Sequence, residues 1–205
     1  LAHWNVSAAL RAVLMALFYL ALTGGLPMDG LMDTCDAVFS RKDRETRLKI
    51  LSDTHTGAFA VMGCAVVLLL KAGLFCELFE RFAPIKANFP LAALSLIPVY
   101  SRTGLAMLFH LLPFAKNDGL AKTMGANLDR RHFLLLSAFF ALAGFAIIPL
   151  AGFVSVAIPF LCLLFLLFYR GQCLNTFGGI TGDLLGAFVE LSETAMLFAA
   201  LLIRG

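Results

Sequence analysis

Charged residues are scarce in this chain, and their scarcity limits the classes of protein to which it can belong. They make up 14% of the 205 residues, against about 25% in an ordinary soluble domain. A soluble fold of this length has too little interior to bury the 60% of residues that are hydrophobic. A net charge of +3 is also too small to indicate a nucleic-acid partner. We therefore expect the lipid bilayer to surround the protein, and we expect no binding of nucleic acid.

Clusters of cysteine and histidine are missing as well. The five cysteines contain no CxxC pair and are odd in number, so the sequence carries neither a zinc signature nor a disulfide framework. They are small and apolar, and we interpret them as packing residues. If the protein binds a metal ion, oxygen ligands must hold it, and oxygen ligands favour Mg²⁺ or Mn²⁺ over zinc.

Long apolar runs make up most of what is present. A helix that crosses a bilayer needs about 20 predominantly apolar residues. Six runs approach that length, namely Ala8–Leu22, Gly57–Phe79, Phe89–Pro113, Phe133–Leu150, Phe153–Tyr169 and Leu184–Ile203. A tight turn at Pro149–Gly152 is predicted between the fourth and the fifth. We therefore predict an all-α fold, a polytopic transmembrane helical bundle of about six spans that forms one domain over residues 1–205.

Basic residues gather in the gaps on one side of this arrangement. Residues 40–49 carry five of them, residues 115–132 carry four, and Arg170 follows the fifth run. Lysine and arginine near the ends of spans stay in the cytoplasm, and strict alternation of six spans puts all three stretches on the same side. We predict a multi-pass protein of the bacterial inner membrane, with this side facing the cytoplasm.

An acidic motif, the first motif below, follows the first apolar run. Asp29, Asp33 and Asp36 are spaced i, i+4 and i+7, which places them on one face of a helix. Three like charges this close repel one another, so something positive must offset them, and a divalent metal ion would do so. Gly24 and Gly25 precede them and allow the backbone to approach a ligand closely. The alternatives are a solvated acidic face and an acidic helix start that complements the helix dipole.

A second acidic motif opens the last apolar run. Gly178, Gly179 and Thr181 lead directly into a predicted helix, on which Asp183 and Glu190 share one face. Free N–H groups at a helix N-terminus favour phosphate. An acid at membrane depth usually faces a partner or a water-filled cavity, so Glu190 is a candidate metal ligand, with an ion pair to a basic residue as the alternative.

Three further residues complete the predicted site. Asp53 precedes the second run, Arg102 lies inside the third, and Lys116 follows it. Carboxylates for metal ions, cations and glycine-rich entries together indicate phosphoryl transfer, in which positioning and charge neutralisation do most of the work. The structural alternatives are a helix cap for Asp53 and a snorkelling side chain for Arg102.

The motifs resemble a known family. LTGGLPMDGLMDTCDAVFSRKDRETRLKILSDTHTGAF resembles the signature region of the cobalamin synthase family, as does FGGITGDLLGAFVELSE, and PVYSRTG and PFAKNDGLAK match its middle segments in the same order. The family commonly has His, Gly, Arg and a basic residue where this chain has Pro27, Ala37, His55 and Asn175. It usually has a further span before the point where this chain begins, so we expect that the chain lacks an N-terminal span.

The resemblance implies the last assembly step of cobalamin synthesis. The substrates would be adenosylcobinamide-GDP and α-ribazole or its 5′-phosphate, and GMP would leave as a ribose hydroxyl attacks. Mg²⁺ held by the three aspartates of the first motif would neutralise the diphosphate. Asp53 or Asp183 would hold a second ion or take the hydroxyl proton, with Glu190 as a further ligand. Arg102 and Lys116, together with the glycines and Thr181, would bind the phosphates.

Two other classes of membrane protein stay open at this stage. A CDP-alcohol phosphotransferase also carries aspartates on membrane helices, but its signature continues into Ala-Arg where Leu31 and Met32 follow Asp29 and Gly30. A divalent-cation transporter also uses intramembrane acids and helix breaks, but it would be expected to show an internal repeat, and we see none. The oligomeric state is open, and a homo-oligomer is one of the alternatives.

Overall fold

The computed structural model of the protein describes residues 6–82, 88–116, 120–125, 129–146 and 154–202. These ranges contain nine helices, which we number in chain order: α1 Ala8–Leu22, α2 Leu26–Phe39, α3 Arg44–Ile50, α4 Ala58–Phe82, α5 Asn88–Leu111, α6 Leu120–Gly125, α7 Arg130–Ala146, α8 Val154–Phe177 and α9 Gly182–Leu202. The prediction of an all-α membrane bundle is confirmed.

Six helices correspond to the six predicted apolar runs. Within the described ranges, three are long and apolar enough to cross a bilayer, over Ala58–Arg81, Ala157–Phe177 and Gly182–Leu202. The number becomes four if α1 and α2, which meet at 91°, form one broken span. The count of six therefore stays a prediction. The end of the fourth run and the predicted turn at Pro149–Gly152 lie outside the described residues.

The corner between α1 and α2 is built by two glycines. Gly24 and Gly25 have φ angles of 62° and 76°, a left-handed conformation that is costly for residues with a Cβ. The Gly25 N–H donates to the Leu20 carbonyl at 3.0 Å and closes the end of α1. Pro27 has no N–H, and in the first turn of α2 none is needed for a helical hydrogen bond. The chain therefore turns sharply before the first acidic motif.

The last helix, α9, forms the centre of the bundle. Within the apolar stretch of α9 that could span a membrane, 72% of the residues are buried inside the protein, compared with 22% for α4 and 28% for α8. It packs against α2, α4, α5 and α8, and its inward residues include Leu184, Phe188 and Met196. The outer faces of α4 and α8 are consequently left for lipid, whereas the second acidic motif starts the most enclosed helix.

Two loops pair at the end of the bundle where α4 and α9 begin and α5 and α8 end, here called the site end. The Ala115 N–H donates to the Ile180 carbonyl at 3.0 Å, and the Ile180 N–H donates to the Pro113 carbonyl at 2.8 Å. A Cβ at Gly179 would overlap the backbone of Pro113 and Ala115, so glycine is required there. This pairing fixes Lys116, the next residue, beside the start of α9.

Candidate functional site

The two acidic motifs meet because α2 and α9 cross at glycines. A Cβ on Gly30 would be 2.6 Å from the Asp183 carbonyl oxygen and 2.9 Å from the Asp183 Cα. A Cβ on Gly186 would be 3.0 Å from the Pro27 carbonyl oxygen. Small residues of this kind let the backbones of membrane helices approach closely. The crossing brings the first turns of both helices to the same place, as the sequence predicts.

The carboxylates of the two motifs interact with one another across this crossing. Asp33 is subject to the like charges of Asp29, Asp183 and Asp36 and to the opposite charge of Lys116. Asp183 is subject to the charges of Lys116 and Asp29 in turn. Among the described residues, these partly buried acids outnumber the lysines beside them, which leaves a local excess of negative charge. Such an excess attracts a cation.

A cavity of about 460 Å³, the site cavity, opens between α2, α9 and the loop after α5. Its polar lining is Asp29, Asp183, Thr181, Lys116 and Lys122, and its apolar lining includes Leu105, Phe114, Ile180, Leu185 and Val189. The polar groups lie toward the site end. Val189 lies six residues beyond Asp183 along α9, about 9 Å deeper at 1.5 Å per residue. The cavity therefore combines a charged mouth with an apolar floor.

Lys116 is the predicted phosphate-binding cation that the structure brings to the cavity. Its ammonium group donates a hydrogen bond to the Ser52 hydroxyl in the loop after α3, and its charge acts on both Asp33 and Asp183. Lys122, in the short helix α6, lines the same cavity. Sequence reasoning did not name Lys122 as a site residue, although Lys122 ends the segment PFAKNDGLAK that resembles the family.

The predicted glycine-rich entry of α9 has a structural explanation at each position. Gly178 has a φ of 73° and ends α8, donating its N–H to the Cys173 and Leu174 carbonyls. The Thr181 hydroxyl accepts from the Leu184 N–H at 3.3 Å and so caps α9. The same hydroxyl donates to the Asp183 carboxylate at 3.3 Å. Of this entry, Thr181 lines the cavity, whereas Gly178 and Gly179 shape the loop.

Asp36 lies in the same helix as Asp29 and Asp33, but its carboxylate binds the start of α4. Its two carboxylate oxygens accept hydrogen bonds from the N–H groups of Gly57 at 2.6 Å and Ala60 at 2.9 Å. These are free donors at the start of α4, so Asp36 caps that helix from a distance. The metal set that we propose therefore leaves out Asp36, because each of its oxygens already accepts a hydrogen bond that holds α4, and a metal-binding role for Asp36 stays a prediction.

Asp53 lies on an exposed loop. Its carboxylate contacts the His55 ring at 2.6 Å and accepts from the His55 N–H at 3.0 Å. These hydrogen bonds lower the pKa of Asp53, so it is a poor proton acceptor near neutral pH. Asp53 is not among the described residues that line the site cavity. A catalytic or metal-binding role for Asp53 stays a prediction.

Glu190 and Arg102 belong to a separate buried network inside the bundle. The Lys71 ammonium donates to Glu190 at 2.6 Å and to Glu193 at 2.8 Å, and Arg102 donates to Glu193. Glu190 is seven residues beyond Asp183, about 10 Å along the helix, and neither Glu190 nor Arg102 is among the described residues that line the site cavity. We therefore place neither Glu190 among the metal ligands nor Arg102 among the phosphate-binding groups. The ion-pair alternative fits Glu190. The sequence signal for this pair is Lys71, a lysine inside the apolar run Gly57–Phe79.

The remaining donor set suits Mg²⁺ in its chemistry. Asp29, Asp33 and Asp183 offer carboxylate oxygens, which are the ligands that this ion prefers. Among the residues that the structure describes, no three acid, histidine or cysteine side chains lie close enough together to hold a metal ion. Mg²⁺ is usually bound by one or two carboxylates together with water and substrate phosphates, so a Mg²⁺ site does not need a preformed cage.

Comparison with known proteins gives consistent matches over the chain. A family model described as cobalamin-5-phosphate synthase matches residues 1–201. A Clostridium botulinum protein named adenosylcobinamide-GDP ribazoletransferase is 30% identical over 202 residues, which cover 98% of this chain and 77% of the relative. Proteins of that name from Escherichia coli and Pseudomonas syringae are 35% and 34% identical, and the matches cover 95% of this chain and 76% of each relative. No solved structure matches the chain.

Proposed function

Because the chain belongs to the cobalamin-5-phosphate synthase family, we propose that it is an adenosylcobinamide-GDP ribazoletransferase that completes the assembly of cobalamin. The donor is adenosylcobinamide-GDP, and the acceptor is α-ribazole or its 5′-phosphate. A ribose hydroxyl oxygen of the acceptor forms a bond to the phosphorus attached to cobinamide. The bond from that phosphorus to the GMP oxygen breaks, GMP leaves, and the hydroxyl proton passes to a base.

The observation that carries the proposal is the meeting of the two aspartate motifs at the site cavity. Gly30 and Gly186 let α2 and α9 cross so closely that Asp29 and Asp183 line one space with Lys116, and the charges of these three residues act on Asp33. A diphosphate brings negative charge that such a site can accept only with cations present. Mg²⁺, when bound by Asp29 and Asp33, would neutralise the charge that develops on the departing phosphate.

The chain's own residues account for the remaining steps. Lys116, held by Ser52, contributes a fixed positive charge for the diphosphate at the cavity mouth. Asp183 is the carboxylate best placed to accept the hydroxyl proton, because it lines the cavity, whereas Asp29 is assigned to the metal ion and Asp53 is outside the described lining. The Thr181 hydroxyl donates to Asp183 and orients it. The apolar floor helps to exclude water, which would otherwise compete with the ribose hydroxyl.

We further propose that the site faces the cytoplasm across the bacterial inner membrane. The basic residues of segments 40–49 and 115–132 support this orientation, because Lys116 and the basic segment before α4 lie at the site end. Maleimide labelling of an exposed position checks it. Lys49→Cys should take up more label than the wild type, with its native cysteines, in inverted vesicles but not in intact spheroplasts. The reverse pattern would contradict the orientation.

The test of function is release of GMP by the purified chain in proteoliposomes. We expect GMP from adenosylcobinamide-GDP only when α-ribazole or its phosphate is present, and we expect the rate to require Mg²⁺. CDP-diacylglycerol with an alcohol acceptor is the control substrate and should give no CMP. Asp33→Asn keeps the size of the side chain and should abolish release while the protein still elutes as the wild type. Full activity of that variant would refute the site assignment.

A further inference from the structure

A second concave surface lies on the lipid-facing side of the bundle, behind the site helix α2. This lateral groove of about 660 Å³ is enclosed by α2, α4 and α8, with α9 as its floor. Its lining is mostly aliphatic and aromatic, and Phe39, Val66 and Phe168 expose 53%, 54% and 60% of their surface. One face of α2 thus serves the site cavity, and another lines this groove.

The groove has the dimensions of a lipid acyl chain. Along α8 its lining runs from Phe165 to Phe177, twelve residues or about 18 Å. Along α4 it runs from Phe59 to Val67, eight residues or about 12 Å. One leaflet of the hydrocarbon core is about 15 Å thick, half of the total. A single acyl chain therefore fits the groove from end to end.

A cluster of basic residues lies at the site end of the groove. Segment 41–49 has five cations against two acids, and it follows Phe39, which lines the groove. The Arg44 guanidinium packs directly against Gly178, the residue after Phe177 at the end of the groove. The Arg47 Nε atom is buried and has no hydrogen-bond partner among the groups that the structure describes. An anion at this end would be attracted to Arg44 and its neighbours.

A polar group inside the groove also lacks a partner. The Thr34 side chain is 8% exposed and lines the groove. Its Oγ1 atom makes no hydrogen bond within the described part of the chain. A buried hydroxyl without a partner is costly, and in helices threonine can usually bond to its own backbone. An ester carbonyl of a lipid would accept a hydrogen bond from this hydroxyl.

We propose that the lateral groove is a binding site for one anionic phospholipid. One acyl chain fills the groove between α4 and α8, and the phosphate lies against Arg44 at its basic end. A second copy of the chain fits less well, because a two-fold axis along the membrane normal would bring the two basic segments 41–49 together. The proposal is independent of the reaction at the site cavity.

Native mass spectrometry of the full chain in detergent, titrated with phosphatidylglycerol or phosphatidylcholine, tests the proposal. We expect one tightly retained phosphatidylglycerol and weaker retention of phosphatidylcholine. Arg44→Gln should weaken retention about fivefold, the equivalent of the ~1 kcal/mol that one arginine contributes near an anionic surface. Lys49→Gln removes one charge from the same segment, but Lys49 is paired with Glu45, so this control should retain the lipid.

A second pair of variants tests the acyl chain rather than the headgroup. Val66→Trp fills the groove, whereas Leu69→Trp adds the same bulk to a residue of α4 that is 73% exposed and outside the described lining of the groove. Val66→Trp should lose the lipid and Leu69→Trp should keep it, with both variants eluting as the wild type. Equal retention of the two lipids, or equal retention by the two tryptophan variants, would overturn the proposal. So would a dimer that Val66→Trp dissociates without loss of lipid.

Discussion

Gly30 in α2 lies directly against the backbone of Asp183 in α9, at a distance that leaves no room for a Cβ. We predict that Gly30→Ala pushes the two helices apart, because the atoms it meets are backbone and cannot rotate away. Overpacking of this kind costs about 1–3 kcal/mol, and it also separates Asp33 from Asp183. Turnover should fall further than the loss of stability explains, as measured by GMP release beside thermal unfolding in detergent.

The matched control for this prediction is Gly73→Ala in α4. A Cβ at Gly73 has no heavy atom within 4 Å, and alanine is favoured over glycine in a helix interior by about 1 kcal/mol. Gly73→Ala should therefore keep both activity and stability. If Gly30→Ala behaves in the same way, the close crossing of α2 and α9 does not position the site.

Asp36 and Asp33 should respond differently to substitution although they lie on the same helix. Asp36 accepts two N–H groups at the start of α4, and the loss of a helix cap costs about 0.5–2 kcal/mol. Asp36→Ala should lower the unfolding temperature and should affect activity mainly through stability. Asp33→Ala should remove activity with little change in that temperature. The reverse pattern would place Asp36 in the active site.

Addition of Mg²⁺ provides a readout that does not depend on turnover. A ligand that binds only the folded state raises the unfolding temperature, so MgCl₂ should stabilise the wild type in detergent and EDTA should reverse the effect. Asp36→Asn should keep this response, whereas Asp29→Asn and Asp33→Asn should lose it. A response that survives in both of the latter variants would show that the ion binds elsewhere.

Lys71 neutralises two buried carboxylates, and its removal should be among the most damaging single changes. Lys71→Met leaves Glu193 paired with Arg102 and removes the one ion-pair partner of Glu190 among the described residues. Breaking a buried pair from one side typically costs about 3–5 kcal/mol, whereas apolar replacement of both partners is often neutral. We therefore expect Lys71→Met to unfold at much lower temperature and Lys71→Met combined with Glu190→Gln to recover part of the loss. No recovery would mean that Glu190 is not the partner whose charge matters.

The sequence predicts the helices better than it predicts their partners. The run Ala8–Leu22 coincides with α1, because hydropathy reports directly on what a bilayer tolerates. The fifth run is predicted to end at Tyr169, but its helix, α8, continues to Phe177. A helix can extend beyond its apolar residues when neighbouring helices pack against the extension. The right-angled corner before α2 was visible only as two glycines, because a left-handed φ is a property of the backbone that composition does not reveal.

In the candidate site too, the sequence predicts features within one helix better than contacts between helices. Spacing along one helix predicts that Asp29 and Asp33 share a face, and the motifs predict that Asp183 joins them. Spacing does not reveal that Asp36 turns to the start of α4, or that Glu190 is paired with Lys71 from a helix 119 residues away in sequence. Both facts depend on how helices distant in sequence pack, which is decided by close contacts such as that of Gly30.

Asp53 and Asp183 are the two carboxylates predicted to take the hydroxyl proton, and the structure favours Asp183. Asp183→Asn keeps the Thr181 contact but cannot accept a proton, so turnover should fall by about 10²–10⁴-fold, the usual contribution of general base catalysis. Asp53→Asn should leave turnover close to the wild type, because the Asp53 carboxylate is exposed and held by His55. Single-turnover rates of GMP release at saturating substrate separate the two, since binding no longer limits the rate. A large loss in Asp53→Asn with normal rates in Asp183→Asn would require the loop before α4 to close over the cavity during the reaction.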